Sequence, residues 1–282
     1  MAEIIDGKLV SENLLDNLAK EISKLDKKPS LAVIIVGEDP ASKIYVNLKK
    51  KKAIELGINS QVIEMSADTT QDELLNTIDI LNNDECINAI LVQLPLPKHI
   101  DKNAVLEKIT PLKDVDCFHP YNAGQIATGN KPYVYPCTPN GILRLLEFYN
   151  IAVEGKNVVV VGRSNIVGRP MAQMFLNKNA TVTICHSKTE NLGQITAGAD
   201  ILVSAVGQKK LIKAEMVKES VVVVDVGMNR DDNGKLCGDV DFGNVSKKAS
   251  FITPVPGGVG PMTICSLMLN TFDLYKVQNN IF

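Results

Sequence analysis

Short apolar runs rich in β-branched residues recur along the chain, and stretches with the spacing of amphipathic helices separate them. The runs are "LAVIIVG" (31–37), "NAILVQL" (88–94), "KNVVVVG" (156–162), "ATVTIC" (180–185), "ADILVSAVG" (199–207) and "SVVVVDVG" (220–227). Strands that are apolar throughout are buried on both faces, as in parallel sheets covered by helices. The alternation therefore predicts an α/β fold with helices on both faces of parallel sheets.

The stretch 110–140 interrupts this alternation, because it is irregular and rich in Pro, Gly, Asn and Asp. Long irregular stretches inside compact proteins are usually hinges or functional loops, so we place a domain boundary there. We expect one domain over 1–137 and a second over 138–262. The last segment, 263–282, has helical spacing and no strand after it, and we expect it to complete the first domain.

Charge and cysteine usage limit the compartment and the partners. The 30 Lys and Arg residues nearly balance 32 Asp and Glu, which gives a net charge of -2. Nucleic acids and anionic membranes require a large basic excess, so neither is expected as a partner. The N-terminus has no signal-peptide pattern, and no apolar run approaches the roughly 18 residues that span a bilayer. The six scattered cysteines form no C-x-x-C pair, so we expect a cytoplasmic protein without a metal site or disulfides.

The segment "NVVVVGRSNIVGRPMAQMFL" (157–176) has the pattern of a buried strand, a tight turn and an amphipathic helix. Gly162 can form the turn, Ser164 offers a hydroxyl, and Gly168 permits close packing of the helix, whose N-terminus can then receive a pyrophosphate. The spacing departs from G-x-G-x-x-G, and a plain strand-to-helix turn is the alternative. We expect a Rossmann-type dinucleotide site in this domain.

The end of the next predicted strand indicates which dinucleotide binds. "VTICHSKT" (182–189) lacks the Asp or Glu that would hold the ribose 2′-OH of NAD. It offers Ser187 and Lys188 instead, and the glycine turn adds Arg163. A carboxylate would repel a 2′-phosphate, whereas a guanidinium and a hydroxyl would bind it. The residues favour NADP over NAD.

A helix is predicted over 40–56 in the first domain. Asp39 can cap its N-terminus, Pro40 suits its first turn, and Gly57 can end it. At about 100° per residue, one arc of this helix contains several apolar side chains. They are Ala41, Tyr45, Leu48, Ala53 and Leu56.

Four consecutive lysines on this helix differ in the direction that they face. Lys49 and Lys52 project within the apolar arc, whereas Lys50 and Lys51 point away from it and are expected to be solvated. A lysine in an apolar arc either extends its amine to solvent or holds it for chemistry. We expect the first behaviour for Lys52, near the helix end.

Lys49 stands out because Tyr45 lies one turn earlier on the same face, with Ser42 one turn before that. A partly buried lysine can transfer protons near neutral pH. Short-chain dehydrogenases also carry a Tyr-x-x-x-Lys pair, but in that family the pair follows the dinucleotide turn within one domain. Here the pair precedes the turn by more than a hundred residues, so we do not favour that family.

Three further stretches are candidates for a ligand site. "LVQLPLP" (91–97) places Gln93 at the end of a buried strand, where α/β sheets bind ligands, although a proline-terminated edge strand is equally compatible. "KDVDCFHP" (113–120) places Asp116 in an irregular loop, where Asp is also a common turn former. "TPVPGGVGPMT" (253–263) predicts a shaped backbone loop that a ligand can approach closely.

These motifs together resemble the bifunctional methylenetetrahydrofolate dehydrogenase/cyclohydrolase family, in order and over almost the whole chain. The matching stretches are "VGEDPASKIYVNLKKKKAIELGI", "VQLPLP", "KDVD", "CTPNGI", "VVGRSNIVGRP", "CHSKT", "DVGMNR" and "PVPGGVGPMT". The resemblance implies a folate-binding catalytic domain of three α/β layers, an NADP-binding domain and a cleft between them. It implies oxidation of 5,10-methylenetetrahydrofolate with NADP, hydrolysis of the methenyl product to 10-formyltetrahydrofolate, and a cytoplasmic homodimer.

The resemblance also implies roles for individual residues. Lys49 would transfer the proton, Tyr45 would lie beside it over the folate, Gln93 would tune Lys49, and Asp116 would hydrogen-bond the pterin ring. The folate-binding set implied is Ser42, Tyr45, Gln93, Leu94, Pro95, Asp116, Pro256, Gly257 and Gly258. The NADP-binding set implied is Gly162, Arg163, Ser164, Ile166, Ser187 and Met228. The chain departs from the family pattern at Cys117, where we expect glycine, a residue that readily adopts positive φ.

Two other classes of function are weighed against this one. A non-catalytic NADP-binding or folate-binding regulator would keep the glycine turn but would have no need of Lys49 in an apolar arc. A shikimate or amino-acid dehydrogenase would share the second domain but not "VQLPLP" or "PVPGGVGP". Absorbance of methenyl-folate, followed with and without NADP, would separate the three classes.

Overall fold

The computed structural model describes residues 2–281. These residues form two compact units. The three-stranded unit contains residues 13–137 and 264–281, and the six-stranded unit contains residues 2–12 and 138–263. The sequence predicts that residues 1–12 belong to the first domain. Residues 2–12 group with the six-stranded unit instead, because a short strand near the N-terminus pairs with the last strand of that unit's sheet.

The elements alternate between helices and strands along most of the chain. The helices are α1 (Gly7–Ser23), α2 (Pro40–Glu55), α3 (Gln71–Asn83), α4 (Lys102–Lys108), α5 (Pro120–Ala127), α6 (Cys137–Phe148), α7 (Gly168–Leu176), α8 (Leu192–Thr196), α9 (Phe242–Val245) and α10 (Val259–Gln278). The strands are β1 (Glu3–Ile4), β2 (Ser30–Val36), β3 (Asn59–Met65), β4 (Ala89–Val92), β5 (Asn157–Val161), β6 (Thr181–Cys185), β7 (Ile201–Ser204), β8 (Val222–Asp225), β9 (Asn229–Arg230), β10 (Leu236–Cys237) and β11 (Phe251–Ile252).

The three-stranded unit is built on a parallel sheet with the order β3-β2-β4. All seven residues of β2 and all four of β4 are buried, as expected of strands covered on both faces. An apolar core cluster joins β2 and β4 to α3 and includes Ile34, Ile78 and Ile90. β3 was not predicted, because "NSQVIEM" is a partly exposed edge strand with polar residues among the apolar ones.

The six-stranded unit contains a parallel sheet with the order β1-β11-β8-β7-β5-β6. Its core cluster includes Val159, Leu202 and Val223 from three adjacent strands, together with Ile212 and Val245. A two-stranded antiparallel ribbon, β9 with β10, follows β8. The α/β class and the Rossmann-type second domain are therefore confirmed.

Two segments of the chain differ from the sequence prediction. The stretch 110–140 is not irregular throughout, because α5 begins where His119 caps the N–H of Tyr121 and Pro120 occupies the first turn. The C-terminal helix begins at Val259, four residues earlier than predicted, and ends at Gln278. Its second half packs within the three-stranded unit. There Asn270 Nδ2 donates to the backbone oxygens of Val115 and Tyr135.

Among residues 2–281, no helix has the length and hydrophobicity needed to cross a membrane.

Candidate active site

α2 begins as the sequence predicts. The Asp39 carboxylate accepts a hydrogen bond of 2.7 Å from Ser42 N, and Pro40 occupies the first turn. This bond holds the pKa of the Asp39 carboxyl below its usual value. The helix ends at Glu55, one residue earlier than predicted, and Gly57 follows with a φ of +78°. The cap thus fixes where the face that carries Lys49 starts.

The buried face of α2 differs from the predicted apolar arc. Ser42, Val46 and Ala53 are buried, whereas Leu48 is 48% exposed and Ala41 is exposed as well. Those two assignments were wrong, because the residues that pack inward follow the spacing i, i+4, i+7 and i+11 from Ser42. Lys49 falls at i+7 of that series and is half-buried.

The other lysines of the run behave as the sequence predicts. Lys50 and Lys51 are exposed. Lys52 is half-buried and directs its amine to the partly exposed Glu55, at a distance of 2.6 Å. Tyr45, one turn before Lys49, is half-buried, and burial raises the pKa of its hydroxyl. The lysine run therefore contains one amine on the buried face of α2, that of Lys49, and three amines that lie at the surface.

Lys49 meets Gln93 at the carboxyl end of β4. Its Nζ donates to Gln93 Oε1 over 2.9 Å, and Gln93 Nε2 donates to the Leu94 carbonyl oxygen over 2.7 Å. Leu94 is half-buried, and the exposed Pro95 follows it through a cis peptide bond. The second bond fixes the amide orientation, so that Gln93 presents its oxygen and not its nitrogen to the amine.

Asp116 is the carboxylate of this cluster. Burial raises the pKa of its carboxyl, and the positive charge of Lys49 and a hydrogen bond from Cys137 oppose that rise. The Cys137 thiol, 3.5 Å from Asp116 Oδ1, donates to this carboxylate, and a carboxylate can accept several further hydrogen bonds. Asp116 therefore keeps acceptor capacity for a ligand.

Neighbouring residues hold the loop that carries Asp116. The buried Asp114 accepts from Phe118 N, His119 N and Asn122 Nδ2, at 2.8 to 3.2 Å. Burial raises the pKa of the Asp114 carboxyl, and these three bonds oppose the rise. Asp114 is thus a structural acid with several donors.

Cys117, where we expected glycine, has a φ of +60° and is buried. The backbone therefore adopts the left-handed conformation with a side chain present, at a cost of about 1–2 kcal/mol. Cys137, on the other side of Asp116, accepts a 3.5 Å hydrogen bond from Asn270 Nδ2. Burial raises the pKa of both thiols, so neither is an ionised nucleophile near neutral pH.

The glycine-rich loop at 253–263 lies in the six-stranded unit. Pro256 is exposed and is joined to Val255 by a cis peptide bond. Gly257 has a φ of +108° and accepts a hydrogen bond from Gly7 N over 2.9 Å. Gly258 is buried, and a Cβ there would overlap its own loop at Thr253 and Pro254. Packing within the loop is sufficient to explain these glycines, so their part in folate binding remains a prediction.

The turn after β5 has the steric character that was predicted. Gly162 has a φ of +130°, and a Cβ there would overlap the carbonyl oxygen of Ala205. A Cβ on Gly168 would overlap the backbone at Gly162, which shows how closely α7 packs on the strand end. Ser164 Oγ accepts from Val167 N over 3.2 Å and thereby orders the start of α7.

A cavity of about 470 Å³ lies beside this turn, within the six-stranded unit. Of the predicted cofactor residues, Gly162, Arg163, Ser164 and Ser187 line it, and the Arg163 and Ser187 side chains are exposed. No acidic residue is present among the described lining residues. The cavity therefore suits an anionic nucleotide with a 2′-phosphate.

Two predicted cofactor residues are placed differently, and several lining residues were missed. Ile166 and Met228 are 43% and 54% exposed and do not belong to the described cavity lining. The missed lining residues are Val161, His186, Thr189, Leu192, Ala205, Val206, Gln208 and Leu211. All but Val161 follow β6 and β7, and this position at the ligand-binding ends of parallel strands is the signal that would have found some of them.

Comparisons with known proteins give a consistent result. The family model "Tetrahydrofolate dehydrogenase/cyclohydrolase, catalytic domain" matches residues 5–116, and "Tetrahydrofolate dehydrogenase/cyclohydrolase, NAD(P)-binding domain" matches residues 136–279. The bifunctional protein FolD of Bacillus anthracis is 54% identical over 279 residues, which are 98% of this chain and 97% of that protein.

Solved structures of proteins from the same family are similar to this chain over almost its whole length. The bifunctional FolD methylenetetrahydrofolate dehydrogenase/cyclohydrolase of Campylobacter jejuni has a TM-score of 0.97 and 49% identity, over 99% of this chain and 100% of that one. The Trypanosoma brucei FolD, complexed with NADP cofactor and inhibitor, has a TM-score of 0.94 and 40% identity, over 98% of both chains.

Proposed function

The chain belongs to the tetrahydrofolate dehydrogenase/cyclohydrolase family, and on this premise we propose which of its residues carry the two reactions. It is a bifunctional enzyme that oxidises 5,10-methylenetetrahydrofolate with NADP and hydrolyses the methenyl product to 10-formyltetrahydrofolate. The three-stranded unit is proposed to bind the folate, and the six-stranded unit is proposed to bind NADP. NADP, when bound, accepts the hydride from the methylene carbon.

Lys49 is proposed to move the proton in the hydrolysis. Water adds to the cationic methenyl carbon and loses one proton, which leaves a hydroxyl on that carbon. The bond to one ring nitrogen then breaks, that nitrogen gains a proton, and the hydroxyl proton leaves to solvent as the formyl C=O forms, so that the net reaction releases one proton. The Lys49 amine, in its neutral form, can accept the first proton at Nζ and return it to the nitrogen. The observation that carries this assignment is the 2.9 Å bond from Lys49 Nζ to Gln93 Oε1 on the buried face of α2.

The other residues of the cluster bind and orient the folate. Asp116 has acceptor capacity for the donor edge of the pterin, and Tyr45 provides an aromatic surface one turn before Lys49. Gln93 keeps the amine in place. Ser42, Leu94, Pro95 and the loop at 256–258 are proposed as further folate contacts on the basis of the family resemblance.

The replacement Lys49→Met tests the role of Lys49. Methionine keeps bulk and an apolar fit but removes the amine, so hydrolysis of methenyl-folate should fall by about two to four orders of magnitude. Hydride transfer depends on holding folate and cofactor in position, so dehydrogenase activity should survive in part and methenyl-folate should accumulate. Absorbance of methenyl-folate with and without NADP measures both activities.

Lys50→Met and Lys51→Met are matched controls on the same helix, because both side chains are exposed. Each should leave both activities close to those of the parent. Parent-level hydrolysis by Lys49→Met, or equal losses in the control variants, would contradict the assignment.

Arg163 and Ser187 are proposed to select NADP over NAD by binding the 2′-phosphate, with Gly162, Ser164, Ile166 and Met228 as further cofactor contacts. Loss of one charge-assisted contact costs about 1.5–3 kcal/mol, so Arg163→Ala should weaken NADP binding about 10- to 100-fold. NAD binding should hardly change, because NAD has no 2′-phosphate. Equal losses for both cofactors would refute this role.

A homodimer in the cytoplasm is proposed from the family resemblance. The edge strand β3 and the exposed Ile44 and Leu48 of α2 offer surface for such an interface. All six cysteines are free, which suits a reducing compartment. Light scattering should give about twice the chain mass of 30.7 kDa, and a mass of one chain would refute the dimer. Cell fractionation tests the location.

A further inference from the structure

Two loops follow the adjacent strands β7 and β8 at the ligand-binding end of the six-stranded sheet. The loop after β7, residues 205–208, supplies Ala205, Val206 and Gln208 to the lining of the cofactor cavity. The carbonyl of Ala205 also packs directly on Gly162 of the phosphate-binding turn. The shape of this loop therefore decides the shape of the cavity wall and supports the turn beside it.

Asp239, which follows the β9–β10 ribbon, is fully buried and contacts this loop. Its Oδ2 accepts from Val206 N at 2.8 Å and from Gly207 N at 3.2 Å, and its Oδ1 accepts from Gln208 N at 2.8 Å. Three consecutive backbone N–H groups are thus directed at one carboxylate. Gly207 has a φ of +66°, a conformation in which glycine carries no steric penalty.

Two side chains complete the environment of Asp239. Ser204 Oγ, at the end of β7, donates to Oδ2 over 3.2 Å. Asn229 Nδ2, at the start of β9, donates to Oδ1 over 2.9 Å. Five neutral donors, four from residues 204–208 and one from Asn229, therefore compensate the charge of one buried carboxylate. A carboxylate that is hydrogen-bonded in this way holds its donors in fixed positions.

A second carboxylate holds Asp239 itself. Asp225, the last residue of β8, accepts from Asp239 N and Val240 N, both at 2.9 Å, and from Gly227 N at 2.9 Å. A Cβ on Gly227 would overlap the Asp239 carboxylate, and a Cβ on Gly238 would overlap the Asp225 carboxylate. The segments "DVG" (225–227) and "GDV" (238–240) thus lock together reciprocally.

We propose that Asp239 is a positioning residue for the cofactor site, which sets the backbone of residues 206–208 through its carboxylate. The inference deepens the proposed function, because it concerns the same NADP site. Asp239 acts through the loop and does not contact the cofactor. Its loss should therefore weaken binding of NADP and NAD alike, since the loop adjoins the turn that both cofactors share. This pattern differs from that of Arg163, which is expected to affect NADP alone.

Asp239→Asn is the first test, because it keeps the size of the side chain but turns an amide N–H toward backbone N–H donors. NADPH and NADH fluorescence titrations should show dissociation constants raised about 10-fold or more for both cofactors. The KM for NADP should rise by a similar factor, with kcat at saturating NADP within about three-fold of the parent.

Asp232→Asn is the matched control. It removes one carboxylate from the same unit, but Asp232 is exposed and forms its salt bridge with Lys209 at the surface. Its cofactor affinities should stay within about two-fold of the parent. Hydrolysis of methenyl-folate without NADP reports on the rest of the enzyme and should be retained by Asp239→Asn.

Ser204→Ala and Asn229→Ala provide the test if Asp239→Asn does not fold. Each removes one donor to Asp239, and each should raise both dissociation constants about two- to five-fold. Unchanged affinity for both cofactors in the folded variants would overturn the proposal. It would also be overturned if hydrolysis of methenyl-folate fell by the same factor as cofactor affinity, because that pattern indicates general damage to the enzyme. If Arg163→Ala instead weakens both cofactors, the proposed 2′-phosphate contact fails while the role of Asp239 stands.

Discussion

Asp116 in the three-stranded unit is a half-buried acid and Asp239 in the six-stranded unit is a fully buried one, and their surroundings differ. Asp116 receives one weak hydrogen bond from a thiol and lies in the field of the Lys49 amine. Asp239 receives five hydrogen bonds from backbone and side-chain donors. A carboxylate that binds a ligand keeps oxygen lone pairs available to accept hydrogen bonds, whereas a carboxylate that holds the backbone in place already accepts hydrogen bonds at both oxygens.

The two acids also differ in how they affect the stability of the fold. An incompletely hydrogen-bonded acid at a partly buried position destabilises the fold locally, and ligand binding can relieve this. A fully hydrogen-bonded acid contributes to structure, and its removal leaves its donors unsatisfied. Replacements in the first site should therefore change function more than stability, and replacements around the second should change both.

Gly238→Ala should have the largest effect on stability. Its Cβ would overlap the Asp225 carboxylate inside the locked segments, so the variant should lose at least about 3 kcal/mol of unfolding free energy. Urea unfolding followed by circular dichroism measures the loss. In the same unit, a Cβ on Gly260 meets nothing within 4 Å, and Gly260→Ala should be neutral or slightly stabilising. Equal stability of the two variants would contradict the locking of these segments.

The pH dependence of stability tests the charge of Asp225. Burial raises its pKa to about 6, partly offset by its backbone hydrogen bonds, from a usual value of 3.8. Because the folded-state pKa is raised, its contribution is fully present below about pH 4 and is lost as pH rises through about 6, an effect of up to about 3 kcal/mol. The stability advantage of the parent over Asp225→Asn should therefore be larger at pH 4 than at pH 7. A difference that is independent of pH would disprove the assignment.

Asp116→Asn should reduce function and spare the fold. Loss of a charged acceptor should weaken folate binding about 10- to 100-fold. Unfolding free energy should not fall, because burial raises the pKa of this carboxyl and so disfavours its charged form in the folded state. Asp273→Asn, a partly exposed position in the same unit, is the control. Folate affinity comes from KM measurements, and a variant that unfolds readily but binds folate normally would reverse the comparison.

Cys117→Gly should have the smallest effect. Glycine removes the cost of a side chain at φ +60° but also removes a buried thiol, so the stability change should stay within about 1 kcal/mol. Because the backbone already adopts the conformation that glycine favours, the KM for folate should stay within about two-fold. A larger change in KM would show that the cysteine alters the loop that carries Asp116.

Much of the fold could be read from local pattern. The apolar runs located β2, β4, β5, β6, β7 and β8, because strands buried on both faces need continuous apolar residues. The Asp39 cap located α2, and the glycines located the phosphate-binding turn. The missed strands are β3, whose mixed pattern belongs to an edge strand, and the two-residue strands β1, β9, β10 and β11.

The sequence by itself determined most of the buried strands, the family and the residue types available for chemistry, because these depend on neighbours within a few positions. Only the tertiary structure decided which side chains meet. Lys49 contacts Gln93, which is 44 residues away, and Asp239 gathers donors from as far as Ser204, 35 residues away. No local pattern encodes such contacts, since they depend on how whole strands and helices pack. For the same reason the sequence pointed to Lys49 but not to Asp239.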